Sequence, residues 1–104
     1  MPTPEHRSFD STDYSTGRRT VTHDIDIPDR GPDEPLSVRA QARESGTNTW
    51  TVGVTHGPFE QKDESGSYYR HISSDQFTGP IGKVRSHLKK TATSEWKGYR
   101  GARK

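Results

Sequence analysis

The chain has no cysteine at any of its 104 positions and only one methionine. Without cysteine there are no disulfides, no thiolate metal sites and no catalytic thiol, and the absence fits a reducing, cytoplasmic setting. No run of 18 apolar residues is present, so a membrane-spanning helix is not expected, and no apolar stretch near Met1 resembles the core of a secretory signal. Large apolar residues are scarce too: Leu, Ile, Val and Phe together number 14. That fraction lies in the range of disordered chains. The high net charge that normally accompanies disorder is missing, because 16 basic residues nearly balance 14 acidic ones. The expectation is one small domain with flexible ends, its stability carried by a few large side chains.

What is present is patterned. Residues 1–17 hold only Phe9 and Tyr14 as large apolar groups among Pro, Ser, Thr and charge, and are expected to be a flexible arm. From Thr20 the pattern alternates, with Val21, Ile25 and Ile27 on one side and Thr22, Asp24 and Asp26 on the other, which predicts a half-buried strand. Pro28 ends it, and the acidic, Pro-bounded DRGPDEP is expected to be a loop. A second strand carries Leu36, Val38, Ala40 and Ala42 on its core side. After the Gly-containing ESGTN turn, a third carries Trp50, Val52, Val54 and His56. A polar turn over residues 62–67 precedes a short fourth strand, Tyr68 to Ile72, rich in strand-forming aromatics.

Beyond Phe77 the apolar period lengthens. Ile81, Val84, Leu88, Ala92, Trp96 and Tyr99 recur at spacings of three and four, which places all six on one face of a helix expected to span about residues 80–97. Pro80 suits its first turn, Thr78 or Gly79 its cap, and Gly98 its stop. The predicted fold is α+β, a four-stranded antiparallel sheet covered by one C-terminal amphipathic helix (ββββα). Residues 18–97 form the domain and residues 98–104 a basic tail.

Charge is divided unevenly. Residues 78–104 carry eight basic side chains against one acid, Glu95, a net +7, whereas residues 1–77 carry eight basic and thirteen acidic ones, a net −5. On the helix, Lys83, Lys90 and Lys97 are seven apart, opposite the apolar stripe, with Lys89 and Arg100 on a flank. Any surface helix must show polar groups to water. The tail WKGYRGARK nevertheless interleaves aromatics, glycines and cations, a composition suited to neutralising phosphates and stacking bases. The candidate nucleic-acid-binding residues are therefore Lys83, Lys89, Lys90, Lys97, Arg100, Arg103 and Lys104, with Trp96 and Tyr99 either packing or stacking.

Catalytic signatures do not emerge. Gly79-Pro80-Ile81-Gly82-Lys83 lacks the four-residue gap between glycines that lets a loop wrap phosphate, and Val84 stands where a hydroxyl would bind magnesium. No serine sits in a Gly-x-Ser-x-Gly turn. In a strand, His23 points away from Asp24 and Asp26, so that trio cannot converge on a metal. A cross-strand set of His23, His56 and His71 is the remaining metal or general-base candidate. It weighs less than the simpler reading of partly buried, hydrogen-bonded histidines. The expectation is a non-enzyme without metal or cofactor.

The ββββα order is similar to that of the PUR, Whirly and transcriptional-coactivator group of single-strand nucleic-acid binders. Ile72-Ser73-Ser74-Asp75-Gln76-Phe77 resembles the strand-to-helix junction of those coactivators. The resemblance implies paired units that bind through curved sheet faces. In this sequence the proposed strands are not notably basic, and the cations lie in the helix and tail. The functional expectation is a small nucleic-acid-binding protein. The alternative is a protein-protein adaptor or inhibitor, of the kind a phage or mobile element carries, acting on a host protein. A homodimer is a further expectation, since self-association would relieve a thin core.

Overall fold

A computed structural model of the chain describes residues 5–28, 34–60 and 66–102. Five strands precede one helix: β1 (His6–Thr12), β2 (Arg19–Asp26), β3 (Ser37–Gly46), β4 (Thr49–Glu60), β5 (Ser67–Thr78) and α1 (Ile81–Ala102). The strands form one antiparallel meander in the order β1-β2-β3-β4-β5. Short connections between sequential neighbours allow this order without a crossover. The α+β class, the antiparallel sheet and the C-terminal helix match the sequence reading. Much of the DRGPDEP loop, most of the 62–67 turn, and Arg103 and Lys104 lie outside the described residues.

Alternation sorts the strands into two faces. Val21, Ile25, Val38, Ala40, Ala42, Trp50, Val52 and Val54 are buried with Val84, Leu88 and Ala92 of the helix in one core. The helix lies over β2, β3 and β4. Ala40, Ala42 and Ala92 are small enough to bring the helix close, while Trp50 supplies the bulk. Trp50 is fully buried, and its indole N–H donates to the Gly79 carbonyl at 3.0 Å, immediately before the helix begins. The Gly79 amide in turn donates to the Asn48 carbonyl at 2.7 Å, tying the β3–β4 turn to the helix start. Arg19 covers the outer side of the indole, 5.4 Å from its centroid, and is itself fixed by Glu44 at 2.9 Å.

Four expectations change. The sheet has five strands, because residues 6–12 of the expected arm form β1, paired with β2 from His6↔Ile25 to Thr12↔Arg19. Hydropathy could not reveal it, since every side chain of β1 is exposed. The strand is held by its ladder and by polar side chains: Arg7 to Asp26 at 2.9 Å, Arg85 of the helix to Asp10, and Ser8 Oγ to His23 Nδ1 at 2.6 Å. The last strand runs from Ser67 to Thr78, so the ISSDQF stretch lies inside β5. The helix continues through Gly98 to Ala102. Leu36 is not in the core; it is 41% exposed at the entry to β3, where its carbonyl accepts the Ile27 amide.

The face away from the helix is also less wet than alternation implies. Thr22 and Asp24 there are each 1% exposed. Arg39 grips Asp24 with two bonds of 2.9 and 3.0 Å, and Gln41 donates to Thr22. The Arg39 guanidinium lies 5.2 Å from the Tyr69 ring and 5.8 Å from that of Phe9. Gly57 of β4 makes room for Tyr69: a Cβ there would stand 2.6 Å from the Tyr69 ring, at a φ of +155°.

Because one tryptophan and one leucine anchor so thin a core, their truncation should be costly. Leu88→Ala is expected to lose about 2–5 kcal/mol and Trp50→Ala about 3–5 kcal/mol of unfolding free energy, measured by urea denaturation. A loss below about 1 kcal/mol for either would contradict this account of the core.

Candidate nucleic-acid interface

The outward face of α1 follows from the inward one. With Val84, Leu88 and Ala92 buried, Lys83, Lys89, Lys90 and Lys97 are exposed. Lys83, Lys90 and Lys97 follow one another at about 10.5 Å, seven residues at 1.5 Å each. A shallow groove on this face is lined by Ser86, Lys89, Lys90, Thr93, Ser94 and Lys97. Ser86 and Thr93 donate to their own helix's carbonyls of Gly82 and Lys89, so the groove's charged donors are the ammonium groups of Lys89, Lys90 and Lys97. None of the four lysines makes an ion pair among the described residues, although Arg85 on the same helix pairs with Asp10.

The remaining candidates divide. Trp96 and Tyr99 are partly buried and pack against the core, and Tyr99 meets His56 edge-on at 5.4 Å. They hold the C-terminal half of the helix to the sheet. Arg100 lies on the helix, which extends past the expected stop, while Arg103 and Lys104 are outside the described residues. The structure thus sets Lys89, Lys90 and Lys97 around one groove, leaves Lys83 exposed nearer the helix start, and turns the two aromatics toward the core.

The histidine set does not assemble. His23 on β2 and His56 on β4 face the helix side, whereas His71 pairs with Thr55 on the far face and lies over Gly53. Among the described residues no group of three His, Cys, Asp or Glu side chains is placed to hold a metal. His23 instead joins Ser8 through Nδ1 and His6 through Nε2, the latter at 2.9 Å. Sequence reasoning missed this cluster because it depends on β1. It also missed the Phe9, Arg39 and Tyr69 stack, whose members come from three strands and carry no spacing signal.

The buried His23 and the half-buried His56 are both held below the ordinary value of 6.5. Burial is the main cause for His23, followed by the charges of His6 and Lys89, with Asp24 opposing. Burial again leads for His56, where Arg70 adds to the effect and Glu95 opposes it. His56 Nε2 is enclosed and 3.5 Å from Glu95 Oε1, a contact too long for a good hydrogen bond.

Comparison with known proteins gives no match among family models, curated proteins or solved structures.

The histidine shifts fix a pH dependence. Near pH 6.5 the unfolded chain binds more protons at these two positions than the folded one, so acid favours unfolding. This contribution to stability is complete above pH 6.5 and is lost as pH falls below it. The urea midpoint is expected to be lower at pH 5.5 than at pH 7.5. A double His23→Gln, His56→Gln variant should show a flatter profile between those values, and an unchanged slope would refute the assignment.

Proposed function

We propose that the protein binds nucleic acid without catalysing a reaction on it, and that the outer face of α1 neutralises backbone phosphate. The observation that carries this reading is the four exposed lysines of that face, Lys83, Lys89, Lys90 and Lys97, which make no ion pair among the described residues. A helix charged only for its own stability would place acids in its first turn and pair lysines with acids one turn away. Here the first turn has no acid and carries Lys83. The one acid of the helix, Glu95, approaches His56. The arrangement works against the helix dipole at the N-terminus and so favours an anionic partner over a purely solvated face.

Lysines without base-edge partners position a backbone and select no sequence. Their 10.5 Å repeat corresponds to about three phosphate steps at 3.4 Å of axial rise per strand. Trp96 and Tyr99 support the surface from beneath by seating the helix. The cations of residues 100–104 extend the same charge beyond it.

Fluorescence anisotropy with labelled duplex and single-stranded oligonucleotides tests the proposal. With four phosphate contacts, the logarithm of the binding constant should fall with log salt at a slope of about −3.6 on duplex and about −2.8 on single strands. Lys83→Gln, Lys90→Gln and Lys97→Gln together should remove about 2.7 of the duplex slope and weaken all sequences alike. Absence of binding at 50 mM salt, or binding that neither salt nor the triple variant changes, would rule the function out.

A further inference from the structure

The two edges of the sheet are unlike. β1 is short, and its Arg7, Ser8 and Asp10 are engaged with neighbouring elements. β5 is twelve residues long, and no strand lies on its outer side among the described residues. A long bare edge recruits another strand unless lysine, proline or irregularity protects it. The β5 sequence SYYRHISSDQFT contains neither lysine nor proline. Three of the chain's exposed large apolar side chains lie on it, Tyr68 at 37%, Tyr69 at 45% and Ile72 at 37%. Its pairing with β4 shifts register twice: Gly57 and Pro58 of β4 stand against Tyr69 alone, and in β5 itself Val54 pairs with Ser73 and Thr55 with His71, which leaves Ile72 as the extra residue.

We infer that β5 pairs antiparallel with β5 of a second copy of this chain, about a two-fold axis normal to the sheet between Ile72 and Ser73. The two sheets then join into one of ten strands, with both helices on the same side.

The register follows from the faces and the charges. Arg70 pairs with His56 of β4, and Asp75 with Val52, so both point to the helix side. His71, paired with Thr55, and Ser74, paired with Gly53, share the far side. Residues five apart share a face only because the bulge resets the alternation. Setting Arg70 opposite the partner's Asp75 therefore keeps every pair face-matched. His71 meets the partner's Ser74, Tyr69 the partner's Gln76, and Tyr68 the partner's Phe77. The bulge lies opposite its own symmetry mate, where a regular strand could not match it. Arg70 and Asp75 are the only fully charged residues of β5, and this register opposes them twice. Neither makes an ion pair within the chain among the described residues: Arg70 rests 5.1 Å from the Phe59 ring, and Asp75 accepts the Gln76 amide. The helix covers β2 to β4, so two copies meeting at β5 keep their lysine faces apart.

Sedimentation velocity and light scattering on the nuclease-treated full chain, from 1 to 200 µM, decide the matter. A dimer is expected. Arg70→Asp and Asp75→Arg each place two like-charge pairs at the interface and should raise the dimer Kd on the order of tenfold or more. The double reversal restores attraction and should return Kd to within about threefold of the parent. Asp75 is exposed and bonds only to adjacent backbone, so its reversal leaves the protomer folded, as circular dichroism will show. A monomer at every concentration, a dimer indifferent to the single reversals, or single defects that the double variant fails to repair would each overturn the inference. Because the samples are free of nucleic acid, the result stands apart from the binding proposed for α1.

Discussion

The hydrogen bond from Trp50 to the Gly79 carbonyl is the constraint on which the rest of the molecule depends. A tryptophan can be wholly enclosed only if its N–H finds an acceptor. In this chain the acceptor is the peptide that opens the helix. The bond fixes where α1 begins above the sheet, and the 3.6-residue period then determines the rest. Val84, Leu88 and Ala92 must face Val21, Ala40 and Val52, and Lys83, Lys90 and Lys97 must face water. Position on the helix surface is thus inherited from the one large side chain in an otherwise alanine- and valine-rich core.

Charge serves two separate ends. In the sheet, ionic groups act as structure: Arg39 closes over the buried Asp24, Arg19 and Glu44 roof the tryptophan, and Arg7 and Arg85 fasten β1. Arg19 holds the Glu44 carboxyl below its ordinary range, chiefly through their side-chain hydrogen bond. Of these acids Asp24 is the buried one, and a buried pair gives little net stability over an apolar equivalent, yet losing Arg39 would strand its carboxylate. On the helix, by contrast, the lysines are left uncompensated. A chain this poor in apolar residues extends its core with ion pairs on both faces of the sheet and spends none of the helix lysines doing so.

Legibility followed apolar contrast. Val38, Ala40 and Ala42 alternate cleanly with Ser37, Arg39 and Gln41, so β3 was recognisable, as were the Trp50 to Val54 stretch of β4 and the face of α1. β1 offered no such contrast: its pairing rests on backbone bonds and on side chains that meet only after folding. In β5 the Ser73 to Gln76 run offers no apolar side chain to continue the strand beyond Ile72, and the resemblance of residues 72–77 to a coactivator strand-to-helix junction pointed the other way. Gly98 looked like a stop because glycine is costly in a helix interior, about 1 kcal/mol relative to alanine. Trp96 and Tyr99 on either side pack against the core and carry the helix past it. The lysine face was visible in the sequence as spacing, whereas the Arg39 stack and the His23 cluster required three-dimensional neighbours.

The manner in which β1 is attached divides the sheet thermodynamically. A strand that buries no side chain adds little hydrophobic free energy, so its opening is a smaller equilibrium than unfolding of the core. Its fastenings are guanidinium-carboxylate contacts, which weaken as ionic strength rises, and the hydrogen bonds that join Ser8 and His6 to His23. The four remaining strands and the helix form the cooperative unit. The outermost strand is a flap on that unit, and its population can be adjusted by solvent while the tryptophan core stays closed.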